Sequence, residues 1–376
     1  MLDFNFAEVI ADLGPDPAFR LANRARPGPN YLFARFLPET PRMSYQAKAG
    51  TMTIRTTMAG LAGMDSPYPP AGLIESGEFL EEAMKVAGET SLSEAALRRL
   101  QEIIMELQLR GTGSKETLAS EVINFTDKVL IQSMMDRTEW LRAQALVNGE
   151  IDWTFNKINW KVTYGIPSDN ILSERTGTEA WDESGSEFWA DVALLYEKLH
   201  YDVRAFVIHP DTLLAVTANE ANNLEIINQE TFAAGGSRTT VRRLLGDNER
   251  PSRDFRHQVT LVAYGDEAEV YDTSDPGRTT KVPFMPQKKL LAIGAAGTRG
   301  YVVGEGSTAD PRDELAIGYT HLAPTVEGGG SPGRWAQVYT PENAPMQLRG
   351  RFASNVVPVI ENPELIAVAS SEIGGS

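Results

Sequence analysis

The sequence has no cysteine and only four histidines in 376 residues. Without cysteine there is no disulfide, no thiolate nucleophile and no thiolate metal site, which fits a protein made in a reducing cytoplasm. No two histidines have the local spacing of a metal site; they are His200, His209, His257 and His321. We interpret His209 as a strand-end residue and His200 as a helix-end residue, and we predict that the chain binds no metal.

Motifs of phosphate binding and nucleophilic catalysis are also missing. The chain has no Gly-Lys-Ser/Thr phosphate loop, no zinc-binding histidine pair and no nucleophile elbow. The glycine cluster at 294–300 has the wrong spacing for a dinucleotide, so we interpret it as a turn. Glu81 and Glu82 are adjacent, so on a strand they face opposite ways and cannot form a catalytic carboxylate pair. We interpret both as solvated charges. We predict no catalytic, cofactor-binding or metal-binding residues and no enzyme, although a site assembled from distant residues would leave no such motif.

The chain lacks a long apolar run and an excess of positive charge. No segment approaches the length of a membrane span, and the N-terminus has no positively charged region of an export signal. Lysine and arginine number 35 against 51 aspartates and glutamates, a net charge of −16. This charge opposes nucleic-acid binding through a general basic face. We therefore expect a soluble protein that does not contact a membrane.

What is present indicates a folded chain of two or more lobes, with 42% apolar residues. Residues 1–44 contain too many prolines for long helices, yet they are rich in aromatic residues, so they predict an extended arm. Such an arm needs a surface to lie on. Its own subunit and a neighbouring subunit are equally good candidates for that surface.

A long two-stranded excursion is predicted after the arm. Its outgoing limb starts at Tyr45, its tip lies at 66–72, and its return limb follows 79–86. A hairpin of this size is not stable alone, so we expect it to rest on another protein surface. The methionines along the arm and loop fit either adaptable contacts with non-identical neighbours or ordinary core packing; they are Met43, Met52, Met58 and Met64.

Helical patterns dominate the next segment. A helix capped by Ser91 or Ser93 is predicted to run to about Arg110. A second helix is predicted from Ser114 to Val147, about 50 Å long at 1.5 Å per residue. Asn148-Gly149 ends it, and 151–164 reads as a strand pair.

Residues from about 180 to 330 alternate between helices and short strands, which predicts a separate α/β lobe. We expect Asp211 to cap one of its helices. The other expected elements are helices 188–199 and 239–245 and strands 203–208, 258–264 and 288–293. Strands are also expected at 335–339, 346–352, 356–360 and 365–368. Because 334–376 is too short for a domain, it must return to the first lobe.

The order of these elements resembles the Hong Kong 97 capsid fold and, within it, the phage lambda major capsid protein group. The resemblance rests on order, since each stretch is degenerate. The stretches are Phe79 to Val86 leading into Thr90-Ser91-Leu92-Ser93-Glu94, Ala145-Leu146-Val147-Asn148-Gly149, Val207-Ile208-His209-Pro210-Asp211 and Val357-Pro358-Val359-Ile360-Glu361-Asn362-Pro363-Glu364.

The resemblance implies a tailed-phage major capsid protein with an α+β fold. Hexamers and pentamers would form an icosahedral shell around double-stranded DNA, and the protein would be part of the virion, after assembly in the host cytoplasm. A separate scaffolding protein, a portal and a decoration protein are the implied partners. The implied divisions are 1–44 N-terminal arm, 45–80 E-loop, 81–178 P-domain with the spine helix at about 114–147, 179–333 A-domain and 334–376 return to the P-domain.

Some capsid proteins of this kind cross-link a loop lysine to an asparagine of a neighbour. Lys48 and Lys85 flank the loop here but neither lies at its tip, so we predict no cross-link and interpret both as solvated charges.

Three alternatives stay open from the sequence. An encapsulin-like bacterial compartment shares the fold but encloses protein cargo. A soluble α/β enzyme with an unrecognised site would leave the arm and hairpin unexplained. A tail-tube protein is disfavoured because such proteins are dominated by strands, and this chain has a long helix.

Overall fold

The computed structural model describes the chain over a set of ranges. They are 17–28, 31–55, 73–92, 98–99, 102, 124, 126–155, 158–200, 202–231, 237–243, 258–271, 279–294, 316–339 and 348–373. Within these ranges the fold is mixed α+β, with many strands and few helices.

The helices lie mainly in the first half of the chain. They are α1 (Pro17–Arg24), α2 (Phe33–Phe36), a π-helical segment (Thr126–Ile131), α3 (Gln132–Ala143), a second π-helical segment (Gln144–Asn148), α4 (Phe188–Lys198) and α5 (Pro210–Ala218). Short 3₁₀ turns lie at Ser168–Asn170, Gly177–Glu179, Glu220–Asn222 and Pro363–Leu365.

The strands form two large sheets and three two-stranded ribbons. They are β1 (Glu39–Pro41), β2 (Gln46–Arg55), β3 (Leu73–Glu82), β4 (Met84–Leu92), β5 (Glu150–Phe155), β6 (Ile158–Thr163), β7 (Val203–Ile208), β8 (Leu224–Thr231), β9 (Ser237–Arg243), β10 (Gln258–Ala263), β11 (Glu267–Tyr271), β12 (Thr279–Pro283), β13 (Lys289–Gly294), β14 (Gly318–Ala323), β15 (Arg334–Tyr339), β16 (Leu348–Ile360) and β17 (Ile366–Ser370). The ribbons are β2–β3, β5–β6 and β11–β12, of which the first two were expected. The return limb expected at 79–86 is wrong in its bounds, because the limb is β3 and ends at Glu82, whereas residues 84–86 belong to β4 and pair with β16.

The five-stranded sheet has the order β1-β14-β16-β15, with β4 also paired to β16. We expected two strands at 346–352 and 356–360, which is wrong: β16 is one strand of 13 residues. Pro358 lies within it, opposite Thr320. Proline has no N–H to donate, but the Thr320–Pro358 pair does not require one. The N–H of Thr320 points away from Pro358 and donates to the carbonyl of Pro38 at 2.8 Å.

The six-stranded sheet has the order β17-β13-β7-β10-β9-β8, with only the β7–β10 pair parallel among its described neighbours. Alternate residues on its strands face two different cores. Phe206 and Ile208 pack with α4 and α5, whereas Val207 faces the core that contains the end of the long helix. The sheet is therefore covered on both faces at the end of β7, which explains the apolar run from Ala205 to Ile208.

Two expectations for this part of the chain are corrected. The helix expected at 239–245 is strand β9, because Thr239 and Val241 are buried at alternate positions and pair with β10. The range 334–376 does not stay within one sheet, since β17 pairs with β13 in the six-stranded sheet. The expected division into domains otherwise stays a prediction.

The long helix, which we define as residues 126–148, is helical throughout. Gly149 ends it with φ of 69°, a left-handed conformation that glycine adopts without steric cost. The predicted end is thus confirmed, whereas most of the predicted stretch before residue 126 lies outside the described residues.

The N-terminal arm packs on its own subunit over its described part. Phe33, Phe36 and Leu37 are buried in the core that contains the long helix, and β1 pairs in parallel with β14. Of the two surfaces that the sequence left open, the same chain therefore covers residues 33–41.

The predicted cap at Asp211 is wrong, and of the alternatives Ser91 and Ser93 the first is wrong. Ser91 lies inside β4, opposite Arg349, because β4 runs on to Leu92; Ser93 lies outside the described residues. Asp211 does not cap α5, since the side chain of His209 accepts from the N–H of Asp211 at 3.1 Å and Pro210 is the first helical residue.

Candidate functional site

The β2–β3 hairpin is the longest of the two-stranded ribbons in the described ranges. Its pairing runs in unbroken register from Gln46–Glu82 to Arg55–Leu73. Ten residues per strand span about 33 Å. A two-stranded ribbon is marginally stable by itself, so the hairpin requires a surface for support.

The base of the hairpin is fixed to the five-stranded sheet. Ala47 is fully buried in a cluster with Tyr319, Val357 and Val359. The N–H of Ala83 donates to the carbonyl of Tyr45 at 2.9 Å. The hairpin therefore starts from a rigid base on one face of this sheet, which we call the outer face.

The outer face carries the odd-numbered side chains of β16 and has a covered part and an open part. The hairpin base covers the part around Val357 and Val359. The open part lies over β15, the first half of β16 and β4. Its side chains are Glu89, Trp335, Gln337, Tyr339, Arg349 and Arg351.

Arg351 lies at the centre of the open part. Its guanidinium lies 4.7 Å from the ring centroid of Tyr339 and 5.8 Å from that of Trp335. It donates to the side-chain oxygen of Gln337 at 3.0 and 3.2 Å. Arg349 pairs with Glu89 at 3.5 Å. Arginine beside tryptophan and tyrosine is the composition that protein interfaces favour.

Lys85 lies at the border between the two parts. It forms an ion pair with Glu327, and this hydrogen bond lowers the pKa of Glu327. The Lys85 side chain is about half exposed, in line with its interpretation as a solvated charge. The side chain of Lys48 lies outside the described residues, so the absence of a cross-link stays a prediction.

A buried cluster of charges joins the arm to the long helix. Arg142 is 1% exposed and pairs with Glu39 and with Glu139, both at 3.0 Å. Its Nε donates to Thr320 at 2.8 Å. Arg334 also pairs with Glu39. Two arginines and two glutamates thus balance in charge where the arm, the long helix and β14 meet.

Glu139 is the most deeply buried acid of this cluster. It accepts hydrogen bonds from the N–H of Phe33 at 2.7 Å and from the hydroxyl of Tyr264 at 3.1 Å. Burial raises the pKa of Glu139, and the ion pair with Arg142 opposes that shift. Burial also raises the pKa of Tyr264, as does the nearby charge of Glu139. The cluster holds the arm in place and links it to Tyr264, which follows β10.

The described histidines lie in three separate elements. His209 caps α5, and His200 follows α4 with φ of 53°. His321 is buried in β14, and its Nε2 lies 2.7 Å from the carbonyl of Ser44. His257 lies outside the described residues. The roles of His209 at a strand end and His200 at a helix end are confirmed.

Glu81 and Glu82 differ in exposure, as expected for neighbours on a strand. Glu82 is exposed, whereas Glu81 is half-buried and burial raises its pKa. The interpretation of both as solvated charges is therefore right only for Glu82.

No helix within the described ranges is long and apolar enough to cross a membrane. No group of three or more histidine, aspartate or glutamate side chains in the same ranges is placed to hold a metal ion.

Sequence reasoning missed both the buried charge cluster and the open outer face. Glu139 and Arg142 did leave a signal, because they are charged residues one turn apart within a helix that is otherwise buried on that side. Arg349 and Arg351 flank Gly350 in the sequence. This alternation is the same as on any solvated strand face, so no local pattern indicated that these arginines belong to a functional surface.

The similarity to solved structures extends over nearly the whole chain. A protein from E. coli CFT073, assigned as the capsid protein of a prophage, superposes with a TM-score of 0.54, covering 98% of this chain and 99% of that chain at 11% identity. The chain has the fold of a phage capsid protein.

Two other solved structures are similar to this chain with lower TM-scores. A phage-related protein from Bordetella bronchiseptica RB50 has a TM-score of 0.46 at 12% identity and covers 94% of this chain and 96% of its own. The SrpI encapsulin from Synechococcus elongatus PCC 7942 has a TM-score of 0.44 at 12% identity, with coverage of 93% and 92%. No protein-family model matches the sequence, and no curated protein matches it.

Proposed function

We propose that this protein is the shell-forming subunit of a tailed-phage capsid. The observation that carries the proposal is the capsid fold matched over 98% of the chain. A second copy of the chain is then its principal partner, in hexamers and pentamers that close into an icosahedral shell around double-stranded DNA. Its location is the virion, after assembly in the host cytoplasm, and its role is structural rather than catalytic.

The architecture supports an assignment of roles within the shell. The β2–β3 hairpin would serve as the E-loop that extends over a neighbour, since it leaves the body from a fixed base. The five-stranded sheet with the long helix as spine would form the P-domain, and the six-stranded sheet the A-domain. Scaffolding, portal and decoration proteins would be separate chains.

The proposal is tested by negative-stain electron microscopy of the purified protein, together with size-exclusion chromatography and light scattering. Closed shells or rings of five or six copies are expected. A protein that stays monomeric at high concentration, both alone and together with the proteins encoded beside it in its genome, contradicts the proposal.

A hairpin variant separates folding from assembly. Residues 50–78 are replaced by a short Gly-Ser turn, which keeps the base pairs from Gln46–Glu82 to Ala49–Phe79. We expect this variant to fold but to form no shell. The contents of wild-type shells then decide between a virus and a compartment, because nuclease-protected DNA supports a phage capsid and enclosed protein supports an encapsulin-like compartment.

A further inference from the structure

The long helix carries an arginine that lies against two tryptophan rings. Arg137 is one turn before Trp140, and its guanidinium carbon lies 5.1 Å from the centroid of the Trp140 ring. The same carbon lies 4.5 Å from the ring centroid of Trp153 on β5. The two indoles meet edge to face with their centroids 5.5 Å apart. The long helix and the β5–β6 ribbon thus form one group of three side chains, which we call the Arg137 cluster.

Both rings of the Arg137 cluster are held in place by the core. Trp140 packs against the core that contains the end of the long helix. Trp153 lies opposite Trp160 in the ribbon, and Trp160 packs against the same core. Because aromatic rings attract a guanidinium, they keep Arg137 in a fixed position beside them.

The five N–H groups of Arg137 have no acceptor among the described residues. Its side chain is half-buried, yet within the described part of the chain it contacts the two rings and forms neither a hydrogen bond nor an ion pair. Burial lowers the pKa of Arg137, and no described charge opposes that shift. By contrast, Arg142 on the same helix pairs with two glutamates. A cation partly removed from water without an acceptor costs free energy, which an oxyanion from another molecule would restore.

The side of the long helix that carries Arg137 is accessible beyond the cluster. Val129 and Ser133 lie on the same side, two turns and one turn before Arg137, and both are exposed. The opposite side, with Leu130 and Met134, is buried in the core. A partner that reaches Arg137 therefore also meets a longer stretch of helix surface.

The composition of the cluster favours a protein partner. Arginine and tryptophan are the residues that dominate the centres of protein interfaces, and a planar guanidinium accommodates a carboxylate through two parallel hydrogen bonds. The chain has 51 aspartates and glutamates against 35 lysines and arginines. A second copy of the chain therefore offers carboxylates in excess of its own cations.

The charges beside the cluster disfavour nucleic acid as the partner. The other face of the β5–β6 ribbon carries Lys161, which pairs with Glu150 at 3.2 Å and with Asp152 at 3.9 Å. Two carboxylates thus outweigh one ammonium group on the ribbon. A duplex is held by several basic side chains acting together, and this ribbon would repel its phosphates.

We propose that the Arg137 cluster is a contact site between copies of this chain, at which the guanidinium of Arg137 binds a carboxylate of a second copy beside the rings of Trp140 and Trp153. The inference rests on the proposed function, because it requires that copies associate. It goes further by naming a surface formed by the long helix and the β5–β6 ribbon, and the chemical group that this surface receives.

Arg137→Met tests the proposal through two opposite readouts. The unfolding midpoint of the unassembled subunit should equal or exceed that of wild type, because Arg137 loses no acceptor within the described part of the chain. The protein concentration needed for assembly should rise at least tenfold, because the second copy loses the partner of its carboxylate. The matched control is Arg204→Met, which removes a half-exposed arginine that already pairs with Asp202 and should leave assembly unchanged.

Chemical cross-linking identifies the carboxylate. Arg137→Lys keeps a cation beside the rings, and a water-soluble carbodiimide joins the new amine to a carboxylate in contact with it. Copies labelled with ¹⁵N are assembled with unlabelled copies before cross-linking, so a peptide pair of mixed isotopes must come from two copies. The control Arg204→Lys should couple to Asp202 of its own chain. We expect mixed-isotope pairs from Arg137→Lys at least tenfold above this control.

The outcomes separate the two proposals. A wild type that never assembles contradicts the proposed function, and this inference with it. A wild type that assembles, while Arg137→Met assembles equally well, overturns the inference alone. Cross-linked peptides of a single isotope overturn it too, because they place the carboxylate in the same chain. Unchanged assembly of Arg137→Met with reduced retention of DNA would show instead that the ligand is a phosphate.

A lower unfolding midpoint of the Arg137→Met subunit would make its assembly defect ambiguous. The cross-linking experiment with Arg137→Lys then decides, since it requires no loss of the cation. Circular dichroism verifies that this variant folds, and mixed-isotope pairs at the level of the Arg204→Lys control in assembled preparations overturn the inference.

Discussion

Arg142 on the long helix and Glu39 on the N-terminal arm form an ion pair at 3.0 Å, with 1% and 5% of their side chains exposed. Glu139, one turn before Arg142 on the long helix, forms a second ion pair with Arg142, also at 3.0 Å. The arm is thus held by charge as well as by apolar packing. Removing one member of such a group leaves the others buried without compensation.

We therefore expect Arg142→Met to lower the free energy of unfolding by about 3–5 kcal/mol. Chemical denaturation of the purified protein measures the change. The control is Arg204→Met, because Arg204 is half exposed and pairs with Asp202 at 3.5 Å, so its loss should cost less than about 0.5 kcal/mol. Equal effects of the two substitutions would contradict a structural role for the buried cluster.

The hydroxyl of Tyr264 donates to the carboxylate of Glu139 at 3.1 Å. Hydrogen bonds to charged groups contribute about 1.5–3 kcal/mol, so Tyr264→Phe should lower stability by about that amount. A double-mutant cycle with Glu139→Gln should show coupling between the two positions. Tyr196→Phe serves as the control, since Tyr196 packs by its ring against Phe206. Additive effects in the cycle would rule out the interaction.

Gly318 at the start of β14 has no room for a side chain. A Cβ there would lie 2.1 Å from the carbonyl oxygen of Val359 and 3.0 Å from the Cα of Ile360. Both atoms belong to the backbone of β16, so relief requires the strands to separate. We expect Gly318→Ala to cost at least about 2–3 kcal/mol and to reduce the yield of folded protein. The control is Gly28→Ala, which should be neutral because a Cβ at Gly28 would have no atom within 4 Å. Equal yields of folded protein from the two variants would contradict the close packing of Gly318 against β16.

His209 caps α5 through Nδ1, which accepts from the N–H of Asp211, so the cap requires a neutral ring. Burial lowers the pKa of His209 from its ordinary value of 6.5. The unfolded chain therefore binds this proton more readily than the folded chain. The stability from the neutral ring is present above about pH 6.5 and is lost as the pH falls below it.

The His209→Asn variant isolates this effect, because asparagine is a good cap that does not titrate. Between pH 8 and pH 5, wild type should lose about 1 kcal/mol more unfolding free energy than the variant. His321 shifts in the same direction through burial, but it is present in both proteins and cancels in the difference. Parallel pH profiles for the two proteins would disprove the titrating cap.

The sequence alone determined much about this protein. The end of the long helix at Gly149, the helix α4, the strand β7 and the hairpin β2–β3 follow from local patterns, because each combines a regular apolar period with a clear stop signal. The order of the elements was enough to indicate a capsid fold.

Only the tertiary structure decided the rest, because those features depend on partners distant in the chain. Residues 239–243 form a strand since β8 and β10 pair with them, and β17 joins the six-stranded sheet since β13 offers it an edge. Arg142 meets Glu39, and Arg351 meets Tyr339, through folding that no local spacing records. Short-range periodicity is fixed by neighbouring residues, whereas pairing and charge compensation are fixed by which surfaces fold against each other.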